Sequence, residues 1–408
     1  MGPRRVAITG IGLVTPLGSG REKSWEAVRA GKSAIGYLSD PEFDGLEVRI
    51  GGRCLDTVDL PDANEDRVVT LGLAAAKDAW QDAGLALPEQ DGHRVGCAIG
   101  CSKGGLRFLL DQHSRFVRGE PLSPFVISAF LPSATNRFVS AEFGLRGPSG
   151  NPVAACATGL LCVVEGIHWI LSGRCDAAVV GSTDASVHPL ILSGFDRLGV
   201  LSRMNGRPEE ACKPFDAQRD GFAVSEGAAV FVLESLDSAR RRGAHIYGEL
   251  TGWAAGSLAY EILALPQDGS AVASVIRTAL ERAQLAPSEI DLVSAHGTGT
   301  QQNDRVETAA LKQVFGPHAL KLSVTATKSI LGHLLGACAS AELAVAVLGM
   351  RDDFVPPTIN LHRPDPLCDL DYVPNVGRPM RVRNLLKISI GFGGHVAALV
   401  VSRPDERA

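Results

Sequence analysis

The sequence predicts an α/β protein of two similar halves, residues 1–247 and 248–408, each with helices covering both faces of a sheet. Three observations carry this reading. Short β-branched runs alternate with longer amphipathic segments. The same alternation restarts after Tyr247. Each half also holds an Ala/Gly-rich helix, one beginning at Cys156 and one near His333, after loops of similar character. Small residues let such helices pack tightly in the middle of the molecule, so a site is expected where the two halves meet.

In the first half, Val6 to Gly10 reads as a strand, Arg21 to Ala30 as a helix, Ala74 to Ala83 as a second helix and Val95 to Gly100 as a strand. Ala177 to Gly181 and Ala228 to Leu233 are unbroken apolar runs, the pattern of strands buried on both faces. The arginine-rich Ser235 to Gly243 reads as surface and closes the half. In the second half the expected order is strand Gly248 to Trp253, helix Ala271 to Ala283, strand Ile290 to Ala295, helix Arg305 to Val314 and a long small-residue helix from Leu334 to Met350. Pro356-Pro357 and the prolines at 364 and 366 mark an extended connection before the last strands, Leu385 to Ile390 and Val396 to Val401. Between those two lies Gly391-Phe392-Gly393-Gly394, whose glycines suit a tight turn with positive φ.

A chain of 408 residues exceeds what one core usually supports, and 45% hydrophobic with 21% charged residues is an ordinary globular composition. The formal net charge of −5 comes without a basic block, which argues against a nucleic-acid surface. No apolar run approaches bilayer-spanning length, and Met1 to Arg5 leads straight into the first strand without an apolar leader. A cytoplasmic protein without membrane attachment is expected. Nine cysteines, an odd number with no CxxC pair, argue against a disulfide framework and against a zinc site, so no metal is expected.

Three segments carry candidate chemistry. Cys156, in Ala154-Ala155-Cys156-Ala157-Thr158-Gly159, stands where free amides and the dipole of a starting helix stabilise a thiolate. Alone, it is more readily read as a buried small hydrophobe. His296, in Ser294-Ala295-His296-Gly297-Thr298-Gly299-Thr300, follows a buried strand at the edge where α/β proteins place their ligands; its glycines permit close backbone approach and its threonines offer hydroxyls. Thr327-Lys328-Ser329-Ile330-Leu331-Gly332-His333 sets a lysine and a histidine around a glycine at a helix start. One cysteine, two histidines and a glycine loop fit nucleophilic acyl transfer, in which donors also stabilise charge developing on an oxygen. A hydrolase triad fits poorly, since no carboxylate is obviously paired to either histidine.

These motifs, with Gly144 to Ser149, Lys213-Pro214-Phe215-Asp216 and Arg219-Asp220-Gly221-Phe222, resemble the β-ketoacyl-acyl carrier protein synthases of thiolase fold, of the elongating Cys-His-His type, over essentially the whole chain. The resemblance implies a layered α-β-α-β-α core and a decarboxylative Claisen condensation. On it, Cys156 takes an acyl group as a thioester, with the carbonyl oxygen held by the amides of Cys156 and Phe392. His296 and His333 stabilise the enolate formed as a malonyl unit loses its carboxylate, Lys328 organises the site and pairs with Glu307, and Phe392 gates the nucleophile. Thr298 and Thr300 flank the carrier's 4'-phosphopantetheine arm; Lys103, Phe108 and Gly393 are further substrate-contacting positions, and Glu307 and Asp304 give electrostatic support. No metal or organic cofactor is implied. The implied partners are an acyl carrier protein and a second subunit, in a homodimer or in a heterodimer with a chain-length-factor-like protein.

Within that family, His296 to Asp304, Val355 to His362 and Cys368 to Pro374 are similar to ketosynthase subunits of type II polyketide synthases. Ala155-Cys156-Ala157-Thr158-Gly159 departs from the Gly-Cys-Thr-Ser-Gly usual there. Lys103 occupies the place of an apolar gate to the acyl pocket, which implies a blocked, short or polar pocket or a lysine directed across a dimer interface. Ser225 and His395 replace smaller residues in their loops. A degradative thiolase would carry a second cysteine in the last glycine loop, an initiating synthase would show Cys-His-Asn, and a non-catalytic chain-length subunit would lack the nucleophile.

Overall fold

The computed structural model describes residues 4–55, 65–85, 92–261 and 265–404. At its centre Val6–Thr15 pairs antiparallel with Gly248–Ser257, joining the two halves of one eleven-stranded sheet. Outward from Val6–Thr15 come Gly227–Ser235, Ala177–Asp184, Val95–Gly100 and Ser149–Gly150. Outward from Gly248–Ser257 come His395–Ser402, Asn384–Gly391, Leu292–Ser294 and Ser323–Thr325. Both series run through two antiparallel pairings and then two parallel ones.

Local irregularities repeat as well. The register slips between Ile8 and Gly10 on one side and between Leu250 and Gly252 on the other. A Cβ on Gly10 would lie 2.2 Å from Ala79 O of the helix Arg67–Ala83, and one on Gly252 would lie 2.1 Å from Ala279 O of the helix Ser270–Ala283. Each slip therefore sits where a helix backbone presses directly on a strand, an approach only glycine permits.

Two central helices, Thr158–Leu171 and Cys338–Arg351, lie between the halves of the sheet: Leu160, Val163, Leu343 and Val347 share one core with Ile8, Ile11, Leu385 and Leu399. Every residue from Cys338 to Met350 is buried, as expected of a helix apolar on all sides. The outer faces are covered separately, by Leu71 and Ala75 against Val179 and Val230, and by Ile276 and Leu311 against Ile388 and Val400. The order is helix, sheet, central helices, sheet, helix.

Some boundaries differ from the sequence reading. The helix expected from Ala74 begins at Arg67, because Asp66 accepts from the Val68 amide at 2.9 Å and caps a first turn whose β-branched Val68, Val69 and Thr70 conceal it. Ser235 to Gly243, expected as surface, contains the short helix Leu236–Arg241, capped by Ser235 and anchored by buried Leu236 and Ala239. The last small-residue helix is preceded by a separate turn, Leu335–Ala337, rather than starting at Leu334. Among the described residues, no helix is long and apolar enough to cross a membrane.

Candidate active site

Cys156 sits on a strained turn. Ala155 takes a left-handed φ of 46°, unusual for a residue with a Cβ, and the tight turn Ala155–Ala157 then opens into the helix Thr158–Leu171. Thr158 Oγ1 donates to Ala155 O at 2.8 Å and accepts from the Ala154 amide at 2.9 Å, which holds the turn. The C-terminal hairpin closes over it: a Cβ on Gly391 would sit 2.6 Å from Ala154 O and 3.3 Å from Cys156 N. Glycine at 391 thus lets the backbone leading to Phe392 lie against the Cys156 amide.

His296 is fixed at both ends of its backbone. Its amide donates to Glu307 Oε1 at 2.6 Å and the Gly297 amide to Oε2 at 2.8 Å, while Lys328 Nζ donates to His296 O at 2.5 Å. Lys328 Nζ also lies 3.2 Å from His296 Nδ1. An ammonium has only donors, so Nδ1 accepts and the proton of the neutral ring is on Nε2. His333 arrives at the same state by another route: the Leu335 amide donates to its Nδ1 at 3.0 Å, leaving Nε2–H aimed at Cys156 Sγ, 3.2 Å away. The rings stand nearly perpendicular with centroids 5.9 Å apart, and Cys156 Sγ and one nitrogen of each histidine all fall within 4.8 Å of one another. The arrangement gathers two imidazole rings around one sulfur, with His333 Nε2 nearest to it.

Burial holds His296 well below the usual imidazole pKa, assisted by Lys328, His333 and Lys387, so the ring is neutral at pH 7. The Cys156 thiol is likewise held well below its ordinary value: the Cys338 thiol as hydrogen-bond partner outweighs burial, and His333 and Lys328 add to it. Burial works against the Lys328 ammonium, yet Glu342 lifts it to about 12. Lys328 is not the surface lysine its position permits, being 1% exposed.

The expected Lys328–Glu307 pair does not form. Lys328 Nζ meets Glu342 Oε1 at 2.6 Å, because both oxygens of Glu307 are taken by the amides of His296 and Gly297. Asp304 accepts from the amides of Phe215 at 2.8 Å and Gly299 at 3.2 Å and lies 3.2 Å from Arg219, which reaches Asp365 at 2.9 Å; these contacts brace the loop carrying Thr298 and Thr300.

A cleft of about 290 Å³ leads to the cysteine, lined by Cys156, His296, His333, Phe392, Thr298 and Thr300 among others. The two threonine hydroxyls lie 2.9 Å apart along its wall, and Phe392 packs 6.3 Å from the Phe195 ring. Lys103, Phe108 and Gly393 are not part of this lining. Lys103 Nζ lies 2.6 Å from Ser102 Oγ and 3.6 Å from Asp184, Phe108 is buried with its amide on Asp66, and Gly393 turns the hairpin with φ 84°. His395 pairs with Gly391 at the hairpin's mouth, and the Ser225 amide donates to His333 O at 2.9 Å, so both loops close normally around these substitutions.

Sequence reasoning missed Glu342, Cys338 and Lys387. Glu342 and Lys387 each had a signal: Lys387 is the one charge in its strand, and Glu342 is the one charge in its helix before the terminal Arg351. Nothing local marked Cys338, whose thiol donates to Cys156 O at 3.3 Å.

Residues 3–239 match the family "Beta-ketoacyl synthase, N-terminal domain" and residues 247–362 "Beta-ketoacyl synthase, C-terminal domain". The chain is 37% identical to 3-oxoacyl-[acyl-carrier-protein] synthase 2 of Coxiella burnetii, covering 99% of each chain. It is 40% identical to the tetracenomycin polyketide synthase ketoacyl synthase alpha subunit of Streptomyces glaucescens, over 99% of this chain and 98% of that one. Among solved structures it is similar to a type II polyketide ketosynthase bound to the hexaketide and in complex with its acyl carrier protein, at 34% identity and a TM-score of 0.91, covering 99% of this chain and 100% of that one. It is also similar to the ishigamide ketosynthase/chain length factor, at 31% identity and a TM-score of 0.89 over 98% and 99% of the two chains.

Proposed function

Because this chain belongs to the beta-ketoacyl synthase family, we propose that Cys156 carries the acyl group and that His296 and His333 hold the enolate that attacks it. The enzyme is an acyltransferase: it condenses an enzyme-bound acyl thioester with a malonyl unit on acyl carrier protein, with loss of carbon dioxide, in fatty-acid or type II polyketide biosynthesis. Its partners are an acyl carrier protein and a second subunit, identical or chain-length-factor-like.

The observation that carries the residue assignment is that both histidines accept at Nδ1 while His333 Nε2 lies 3.2 Å from Cys156 Sγ and a nitrogen of His296 lies within 4.8 Å of it. In the first step the Cys156 thiolate attacks the acyl carbonyl, and the carrier's sulfur leaves and takes a proton from solvent. The tetrahedral oxyanion is held by the amides of Cys156 and Phe392, whose approach Gly391 allows. The malonyl arm then occupies the cleft past Thr298 and Thr300. As its carboxylate departs, the electron pair passes to the α-carbon and the thioester oxygen, where the two Nε2–H groups meet it. Neutral donors suit this step, since neither must give up its proton. The carbanion attacks the acyl-Cys156 carbonyl, and collapse returns the thiolate.

On this reading the thioester and the leaving carboxylate supply the driving force, the only prosthetic arm is the carrier's phosphopantetheine, and the reaction runs in the cytoplasm. We read residues 1–247 as the unit supplying the nucleophile and 248–408 as the unit supplying the donors. The test is intact mass after incubation with acyl-acyl carrier protein: one acyl adduct is expected on the enzyme, and an adduct that persists in Cys156→Ala overturns the assignment.

A further inference from the structure

Lys387 is a second buried ammonium that no step above uses. It stands on the strand Asn384–Gly391 with its side chain 0% exposed. Burying an ammonium is costly unless it is paired and hydrogen-bonded, and Lys387 is both. Its Nζ meets Glu342 Oε2 at 2.6 Å and donates to the carbonyls of Ile388 at 2.8 Å, Ala295 at 3.0 Å and Ser294 at 3.4 Å. Two of those carbonyls belong to the residues directly before His296.

One carboxylate is therefore shared between two lysines, Lys328 on Oε1 and Lys387 on Oε2. Were Lys328 alone with Glu342, the carboxylate would neutralise the ammonium that lies 3.2 Å from His296 Nδ1. The second lysine draws on the same negative charge from the far oxygen.

We propose that Lys387 is a positioning residue for the condensation, competing with Lys328 for Glu342 so that the charge of Lys328 stays available to the Cys156 thiolate and to the enolate beside His296 and His333. This rests on the reading of Cys156 as nucleophile. The charged and titratable groups around Lys387 are Glu342 and Cys338 from the helix Cys338–Arg351, Lys328 from the turn before His333, His296, and Glu307 from the helix Gln301–Phe315. Glu307 cannot replace Glu342, since the amides of His296 and Gly297 occupy both its oxygens. Lys387 also helps to hold His296 neutral.

The experiment measures the rate of Cys156 alkylation by iodoacetamide against pH in the full-length protein, read by peptide mass, with the thermal midpoint of each variant recorded. Lys387→Met is expected to raise the pH of half-maximal rate by about one unit, which is roughly tenfold slower labelling below both midpoints. Adding Glu342→Gln removes one negative charge and is expected to bring the midpoint back down. A folded Lys387→Met with an unchanged midpoint overturns the proposal, and so does a raised midpoint that Glu342→Gln fails to restore, since a purely structural defect gains nothing from a second core substitution. Should Lys387→Met not fold, Glu342→Gln alone decides: a midpoint at or below that of the unmodified enzyme supports the proposal, and a rise overturns it. Absence of any Cys156 labelling in the unmodified enzyme would instead overturn the nucleophile assignment, a distinguishable result.

Discussion

The Leu335 amide donates to Nδ1 of His333 at 3.0 Å, and Leu335 itself holds a left-handed φ of 49°. That strained turn dictates which nitrogen of His333 carries the proton, and hence that it acts as a donor. On the proposed mechanism, His333→Ala removes one of two donors to the enolate. It is expected to slow malonyl decarboxylation by about a hundredfold or more, the usual effect of deleting an oxyanion donor. Acylation of Cys156 should fall by much less, because its oxyanion is held by backbone amides. Carbon dioxide release and acyl-enzyme formation, measured separately, check the split.

Alkylation should single out Cys156. Its thiol is held low by the Cys338 thiol against burial, with His333 and Lys328 contributing, whereas burial pushes Cys97, Cys101 and Cys212 up to about 12 and Cys175 and Cys368 up to about 11. A depressed pKa keeps the thiolate present as pH falls from 9 through neutrality, and labelling is lost only below the depressed value. One label per native chain at pH 7, mapped to Cys156, is the expected result. His333→Ala should move the labelling profile to higher pH.

Gly391→Ala forces a methyl to within 2.6 Å of Ala154 O. Backbone must move on one side or the other. Overpacking of this kind costs about 1–3 kcal/mol, and the movement carries the Phe392 amide away from the oxyanion. A lowered denaturation midpoint together with a slower acylation burst is expected, with the substrate KM changing little.

Arg219→Met leaves Asp304 and Asp365 facing each other across the space of a lost cation. Removing one partner of such a buried cluster costs about 3–5 kcal/mol. The loop Gly297 to Thr300 loses its brace with it, so KM for malonyl-acyl carrier protein should rise more than kcat falls. Steady-state kinetics alongside urea denaturation check both effects.

Cys156, both histidines and Lys328, which the structure brings together, stood out as candidates in the sequence because each lies in a short contiguous segment of small residues. The two similar α/β halves followed from the restart of the pattern after Tyr247, whereas the order of strands in the shared sheet did not. The charge network was not legible. Glu342 and Lys387 are 45 positions apart on a helix and a strand, and only packing shows that Lys387 and Lys328 share the two oxygens of Glu342. The pairing of Lys328 with Glu307, which the resemblance implied, fails for the same reason: the oxygens of Glu307 are committed to backbone amides that a sequence does not display.

The strained turn before each central helix occurs once per half, with Ala155 and Leu335 in corresponding backbone states. Cys156 follows the first; Gly336 follows the second. A side chain on Gly336 would collide with Ser102 N at 2.6 Å and Asp184 Oδ2 at 2.9 Å. The molecule therefore has two elbows of one design but room for a side chain at only one of them, so the symmetry of the halves ends at this point: the second elbow offers a reactive group only at its rim, with His333.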